Sequence, residues 1–269
     1  PDIIVATPGR LLHLCVETKL NLKRVELAVF DEADRLFEMG FAEQLRELLA
    51  MMPADTRQTA LFSATLPTSL AEFAGAGLRK EGSVFVRLDA ESKLSPDLSI
   101  VNLYVKSDYR EAALLAILKS LALADQLTII FAATKHHVEY LVDLLGKSGF
   151  RVGGVYGSMD QEARKLAVEA FRAKRTTLLV VTDLAARGLD IPLLDNVINF
   201  DFPAAPKLFL HRVGRAARAG RVGTAFSFFA ADELPYLLDL KQFLGKQDAP
   251  DYAFPQDLLD MQAGAIRNL

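Results

Sequence analysis

Cysteine is all but missing from this chain: Cys15 stands alone among 269 residues. A single thiol excludes an internal disulfide framework and any zinc site built on cysteine, and it fits a reducing compartment. No apolar run reaches the roughly 18–20 residues of a membrane span, which excludes an integral membrane protein with spanning helices. The opening residues show no charged segment followed by a short apolar core, so no secretory signal peptide is expected. Solenoid-period repeats and low-complexity tracts are absent as well. Neither sign of charge is in large excess: the net charge is -3 and the pI near 5.9, which argues, if anything, against nucleic acid. The average conceals regional differences, with -3 over residues 1–93, +3 over 94–247 and -3 over 248–269. That middle region is only mildly basic, so charge does not choose a partner.

What is present reads as a globular protein. Hydrophobic residues make up 51% and charged residues 24%, too apolar for a disordered chain. The length favours two domains, each able to bury a core. β-Branched runs alternate with segments of helical period. Strands are expected at 2–6, 26–30, 58–62 and 84–88, then at 100–105, 127–131, 151–155, 177–181, 196–200 and 224–229. Helices are expected at 11–17, 42–51 and 69–78, then at 109–123, 136–147, 161–173, 208–215 and 232–245. The polar stretch 89–97, with Pro96 and no periodicity, reads as a linker. Such alternation implies parallel sheets, hence an α/β protein of two open domains, 1–88 and 98–247. Residues 248–269 form a tail with no clear element beyond a short amphipathic stretch at 257–261.

Most of the unusual polar clusters follow an expected strand. They are Thr7-Pro8-Gly9-Arg10, Asp31-Glu32-Ala33-Asp34, Ser63-Ala64-Thr65, Ala133-Thr134-Lys135 and Thr182-Asp183. Open parallel sheets bind ligands at the carboxyl ends of their strands, so five clusters on that edge point to a ligand held by two domains. Asp31-Glu32 after Leu27-Ala28-Val29-Phe30 has the form of a Walker B element. One carboxylate there can hold Mg²⁺ and its neighbour can orient or deprotonate a water; an acidic helix start is the plainer use of the same residues. Arg212, Arg215 and Arg218 recur every third residue, as a phosphate grip along one helix side or as a solvated basic face. The stretch Thr182–Pro192 (TDLAARGLDIP) offers Gly188 to a close ligand and Asp190 to a ribose hydroxyl, or else turns a strand into a helix. Thr7–Arg10 can hold a phosphate on backbone N–H groups at a helix start, or be a plain turn.

Two look-alikes carry no chemistry. Gly146-Lys147-Ser148 resembles the end of a P-loop, but Leu141 stands where its first glycine belongs, and a helix end with Gly149 as its turn is expected. His136-His137 have no cysteine or acidic partner at ligand spacing and are expected at an exposed helix start.

Taken in order, the motifs resemble those of the DEAD-box family of ATP-dependent RNA helicases. TPGR, DEAD (31–34), SAT (63–65), IIFAAT (129–134), the Gln161…Arg164 pair, TDLAARGLDIP and HRVGRAARAG follow the family's order across most of residues 1–247. Each is weak alone; seven in sequence are not. Longer strings, among them ATKHHVEYL (133–141) and DELPYLLDLKQFLG (232–245), resemble the nucleolar branch that acts in large ribosomal subunit assembly.

The resemblance implies two RecA-like domains acting on ATP, Mg²⁺ and single-stranded or duplex RNA, ribosomal RNA in particular. Pre-ribosomal proteins would be its partners and the nucleus and nucleolus its location. Asp31 would hold Mg²⁺, Glu32 would activate water, and Arg215 and Arg218 would reach the γ-phosphate. Gly188 and Asp190 would meet the nucleotide, while His211, Asp34, Ser63 and Thr65 would couple it to domain closure. RNA would lie on Thr7, Pro8, Gly9 and Arg10 and on Thr134, Gln161, Arg164 and Thr182.

The chain departs from the family in three places. Ala216-Ala217 replace the usual Thr-Gly, and Tyr156-Gly157-Ser158 stand where His-Gly-Asp is common. The chain also opens on Pro1, directly in an apolar run, so the P-loop, the upstream glutamine motif and the first RNA motif would lie before it. It therefore reads as the C-terminal part of the first helicase domain plus the second. A non-hydrolytic RNA-binding or adaptor module is the alternative. On this reading residues 1–269 alone neither bind ATP tightly nor hydrolyse it; RNA-stimulated turnover that Glu32→Gln abolishes would refute that.

Overall fold

Two parallel sheets organise the computed structural model, which describes residues 2–63, 71–73, 83–86, 94–120, 126–186, 189, 191–217, 220–245 and 251–267. The chain divides into two compact units, 1–87 and 88–269. The expected α/β class with parallel sheets is what the chain adopts.

In the first unit, α1 (Pro8–Glu17), β1 (Leu27–Phe30), α2 (Ala33–Glu38), α3 (Ala42–Ala50) and β2 (Gln58–Leu61) follow in order. Pro8 stands at the start of α1, where its fixed φ suits a helix and its missing N–H costs nothing. β1 and β2 pair in parallel with Phe30 opposite Leu61, so their carboxyl ends stand level. Ala28, Phe30, Ala33, Leu45, Leu49 and Phe73 form one small core. Phe73 meets Phe30 and Phe37 edge-on, at ring-centre distances of 6.2 and 5.0 Å.

Two expected strands do not form here. Residues 2–6 join no ladder, with Ile3 and Val5 facing solvent, and 84–86, the described part of 84–88, join none either. β-Branched composition suits a strand but supplies no neighbour to bond with, and these segments have none among the described residues. The sequence pattern also gives no sign of α2, a six-residue helix too short to show a period.

The second unit holds β3 (Leu98–Tyr104), α4 (Arg110–Ser120), β4 (Thr128–Phe131), α5 (Lys135–Lys147), β5 (Val152–Val155), α6 (Gln161–Arg172), β6 (Leu178–Val181), α7 (Asp183–Ala186), β7 (Asn196–Asn199), α8 (Pro206–Val213), β8 (Gly223–Phe229), α9 (Leu234–Leu244), β9 (Asp251–Ala253) and α10 (Gln256–Ile266). Its seven strands run in the order β5-β6-β4-β7-β8-β3-β9, every pair parallel. The central strands are buried on both faces, as the continuous apolar runs Thr128–Phe131 and Leu178–Val181 require. Alternate residues serve two cores. Ile129, Leu179, Val181, Val197 and Ala225 join α6, α8 and α9 on one face. Ile130, Leu178, Val180, Ile198 and Phe228 join α4 and α5 on the other.

Residues 251–267 extend the expectation of a tail with one short amphipathic stretch at 257–261, which lies inside α10. β9 adds an edge strand beside β3, and α10 packs on α4. The cause lies in α4, whose residues 112–118 are all apolar and all buried. A helix apolar around its whole circumference must be covered on the side away from the sheet. Leu259 of α10 joins that core, with Ala263 and Ile266 against it, and Lys119 donates to Gln262 Oε1 at 2.6 Å.

The false P-loop ends α5 as expected, with Gly149 in the left-handed region at φ +87°. A glycine at 154 has a packing reason. A Cβ there would lie 2.9 Å from Val142 Cγ2 and 3.1 Å from Val138 Cγ1, so β5 and α5 meet only if that position is bare. Gly154→Val is expected to cost about 1–3 kcal/mol by overpacking, read as a lower urea midpoint at unchanged slope.

Candidate functional site

The carboxyl end of β1 carries the acidic cluster of the first unit. Asp31 and Glu32 are exposed there, and Asp31 Oδ1 accepts the Glu32 N–H at 2.9 Å. Glu32 takes a left-handed backbone, φ 49° and ψ 46°, which costs a non-glycine residue about 1–2 kcal/mol. That turn lets the chain leave the strand and enter α2 at once, so both carboxylates stand clear of the sheet. Asp34 points the other way and is 2% exposed. Its N–H donates to Ser63 Oγ at 3.1 Å, and the Ala33 N–H donates to the Phe62 carbonyl at 3.0 Å. The parallel register of β1 and β2 thus places the 31–34 cluster against Ser63, 29 residues on from Asp34. Thr65 lies outside the described residues.

Thr7, Pro8, Gly9 and Arg10 begin α1. Thr7 is the N-cap without a side-chain bond, Pro8 is buried, and Gly9 lies against Gln44 of α3. Arg10 is exposed and bonds His13 Nδ1 at 3.1 Å.

On the second unit the polar residues gather at the carboxyl ends of β4, β6, β7 and β8. Their centre is Arg212 of α8, which is 3% exposed. Its Nε and Nη2 donate to the two carboxylate oxygens of Asp183 at 2.7 and 2.8 Å, a two-point fork. Its Nη1 donates to Asn199 Oδ1 at 3.0 Å and to the Asp201 carbonyl at 2.7 Å, and the guanidinium lies 5.1 Å from the Phe131 ring centre. Asn199 in turn donates to Ser227 Oγ at 2.9 Å. Asp201 extends the network: its carboxylate accepts from the Ala133 N–H at 2.7 Å, bonds His137 Nδ1 at 2.9 Å and pairs with Arg110 at 3.3 Å. Arg110 also pairs with Glu233, which accepts the Ala230 N–H at 2.8 Å.

This placement corrects the expectation of three arginines along one helix side. α8 ends at Val213 and Gly214 caps it, so Arg212 is a buried tie while half-buried Arg215 sits in the turn beyond. The turn survives the loss of the family's glycine, because Ala217 itself holds a left-handed φ of 53°. His211 is on α8, half-buried. Arg218, Gly188 and Asp190 lie outside the described residues.

Among the candidate nucleic-acid contacts, Thr134 is exposed and caps α5, its Oγ1 accepting from the His137 N–H at 3.1 Å. Gln161 is the exposed first residue of α6, after the N-cap Asp160. Arg164, on the same helix, donates from Nη2 to the Ala185 carbonyl at 2.9 Å, which ties α6 to α7. Thr182 is not presented: it is 8% exposed and its Oγ1 accepts from the Ala185 N–H at 3.4 Å. The histidine pair lies at the exposed start of α5, as expected, and His137 bonds Asp201, 64 residues away in sequence. Asp201, Arg110 and Glu233 are not among the residues the motifs single out. Asp201 carries the signal that found the other clusters, a polar residue directly after a buried strand, whereas Arg110 and Glu233 show none.

Residues 1–73 match the family model for the DEAD/DEAH box helicase, and residues 110–220 the model for the helicase conserved C-terminal domain. The Mus musculus protein named ATP-dependent RNA helicase DDX54 is 57% identical over 246 residues, 91% of this chain and 28% of that protein. The curated relatives it resembles are much longer, and it spans 28–33% of their length. The structure of S. cerevisiae Dbp5 bound to RNA and ADP BeF3 matches with a TM-score of 0.80 at 27% identity, covering 98% of this chain and 68% of that one. E. coli DEAD-box protein SrmB, bound to regulator of ribonuclease activity A, is 32% identical with a TM-score of 0.54, covering 60% of this chain and 93% of that one.

The Arg212 fork generates a stability prediction. Arg212→Ala leaves Asp183 and Asn199 without their partner and is expected to cost about 3–5 kcal/mol. Arg212→Lys keeps the charge but not the fork, so a substantial part of that loss should remain. Equilibrium urea unfolding followed by circular dichroism reads both.

Proposed function

Because the chain belongs to the DEAD-box family of RNA helicases, we propose that the protein carrying it hydrolyses ATP to unwind or remodel RNA, with both of its units taking part. The observation that carries this reading is the pair of exposed carboxylates at the end of β1, backed by a buried Asp34 bonded to Ser63.

Asp31 is suited to Mg²⁺: an exposed carboxylate with one oxygen engaged by a backbone N–H leaves the other for the ion's water shell. Among the described residues no group of three or more potential ligands forms a metal cage, and Mg²⁺ asks for none, since one or two carboxylates and substrate phosphates suffice. When bound, the ion neutralises charge on the phosphates. Glu32 orients a water for attack on the γ-phosphate and accepts its proton. Arg215 and Arg218 stabilise the charge that develops there, with Gly188 and Asp190 meeting the nucleotide and His211 linking it to conformation. Asp34, Ser63 and Thr65 carry nucleotide state into the first unit. RNA lies on Thr7, Pro8, Gly9 and Arg10 and on Thr134, Gln161, Arg164 and Thr182. For Thr182 the contact runs through the local backbone, because its side chain is turned inward. Contacts to the phosphodiester backbone explain binding without a strongly basic surface or a base code.

The RNA is ribosomal and the location the nucleolus. The strings shared with the branch acting in large-subunit assembly and the likeness to the protein named DDX54 support this. Pre-ribosomal proteins are the accompanying partners.

Glu32→Gln in the whole protein tests the reading. RNA-stimulated ATP turnover should fall by about 10²–10⁴-fold, with RNA affinity unchanged. Turnover that survives the substitution would remove Glu32 from the chemistry. Salt-sensitive RNA binding that ATP never alters, without turnover, would favour the adaptor reading instead.

A further inference from the structure

Lys135 is the first residue of α5 and directly follows the proposed RNA contact Thr134. Its ammonium lies 5.1 Å from the ring centre of Tyr156, the residue that follows β5, and 3.6 Å from Glu139 one turn along its own helix. The Tyr156 ring packs at the edge of the core beneath it. The nearby Glu139 carboxylate holds its phenol above the ordinary pKa. A lysine on a solvated helix face usually samples many rotamers. This one is contacted on two sides, by an aromatic face and a carboxylate, while its side chain stays 46% exposed.

The position matters as much as the restraint. The Tyr156-Gly157 segment runs on to Leu184, since a Cβ at Gly157 would lie 3.0 Å from Leu184 Cδ2. The neighbouring Ala185 carbonyl is the acceptor of Arg164. One continuous edge therefore leads from Thr134 through Lys135, Tyr156 and Leu184 to Arg164, with the restrained cation between two proposed RNA contacts. No assigned role in nucleotide or RNA binding uses Lys135, Glu139 or Tyr156.

We infer that Lys135 is a phosphate contact for single-stranded RNA on the second unit, and that Tyr156 is the positioning residue that holds its ammonium over the path. A point cation suits this role, because it neutralises one phosphodiester without reading a base. Glu139 keeps the ammonium in place when RNA is absent and competes with the phosphate when it arrives. This inference rests on the RNA-binding reading above and extends it to Lys135 and Tyr156.

The test uses the full chain and a fluorescein-labelled oligouridylate, with anisotropy titrations across a range of salt concentrations. Losing one phosphate contact on a single strand should reduce the slope of log affinity against log salt by about 0.7, with binding about fivefold weaker near 0.1 M salt. Lys135→Ala should show that change and Lys135→Arg should not. Tyr156→Phe keeps the ring and should bind within about twofold of the parent, whereas Tyr156→Ala should lose part of what Lys135→Ala loses. An unchanged slope in Lys135→Ala, with the parent chain binding normally, overturns this inference and leaves the helicase reading intact. A parent chain with no salt-dependent RNA binding would instead strike at the RNA-binding reading itself.

Discussion

The second unit depends on a single buried fork. Arg212 grips both oxygens of Asp183, the side chain of Asn199 and the carbonyl of Asp201, and so ties α8 to the ends of β6 and β7. A guanidinium 3% exposed is tolerable only with its donors engaged, and here four of its bonds are made within the protein. The same contacts fix neighbours with other roles. Asp183 follows Thr182, Asp201 holds Ala133 and His137 beside Thr134, and His211 and Arg215 stand close to Arg212 in sequence. Loss of the fork would therefore loosen every candidate residue on that edge together.

In the first unit the equivalent constraint is register. β1 and β2 end level, so a cluster at 31–34 and a serine at 63 meet although neither segment specifies the other. The left-handed Glu32 is the local cost of that geometry. It ends a strand and starts a helix within two residues, leaving two carboxylates exposed and one buried. Strain of this kind collects where side chains must be presented rather than packed.

Legibility in the sequence followed physical range. Short β-branched runs such as 127–131 and 177–181 read as strands, and the structure buries them on both faces. α5 and α6 announce themselves by period, and the structure adds their caps at Thr134 and Asp160. Residues 2–6 have a strand's composition but no ladder, because pairing is a property of two segments and composition a property of one. Of α10 only 257–261 showed in the sequence, for the converse reason. Its clearest cue sits far upstream in α4, where the unbroken apolar run 112–118 demanded a second cover.

The amino-acid order by itself determined the class of the fold, the places where strands hand over to polar clusters, and the order of motifs that marks the family. Each is a local property, set by side-chain period, β-branching and turn chemistry within a few residues. Only the tertiary structure decided what the charged residues do. It buried Arg212 as a tie rather than displaying it, turned Thr182 inward, gave His137 an aspartate from beyond another strand, and set Lys135 over Tyr156. Whether a charge faces water, a partner or a ligand depends on which distant elements close around it, and no single segment encodes that.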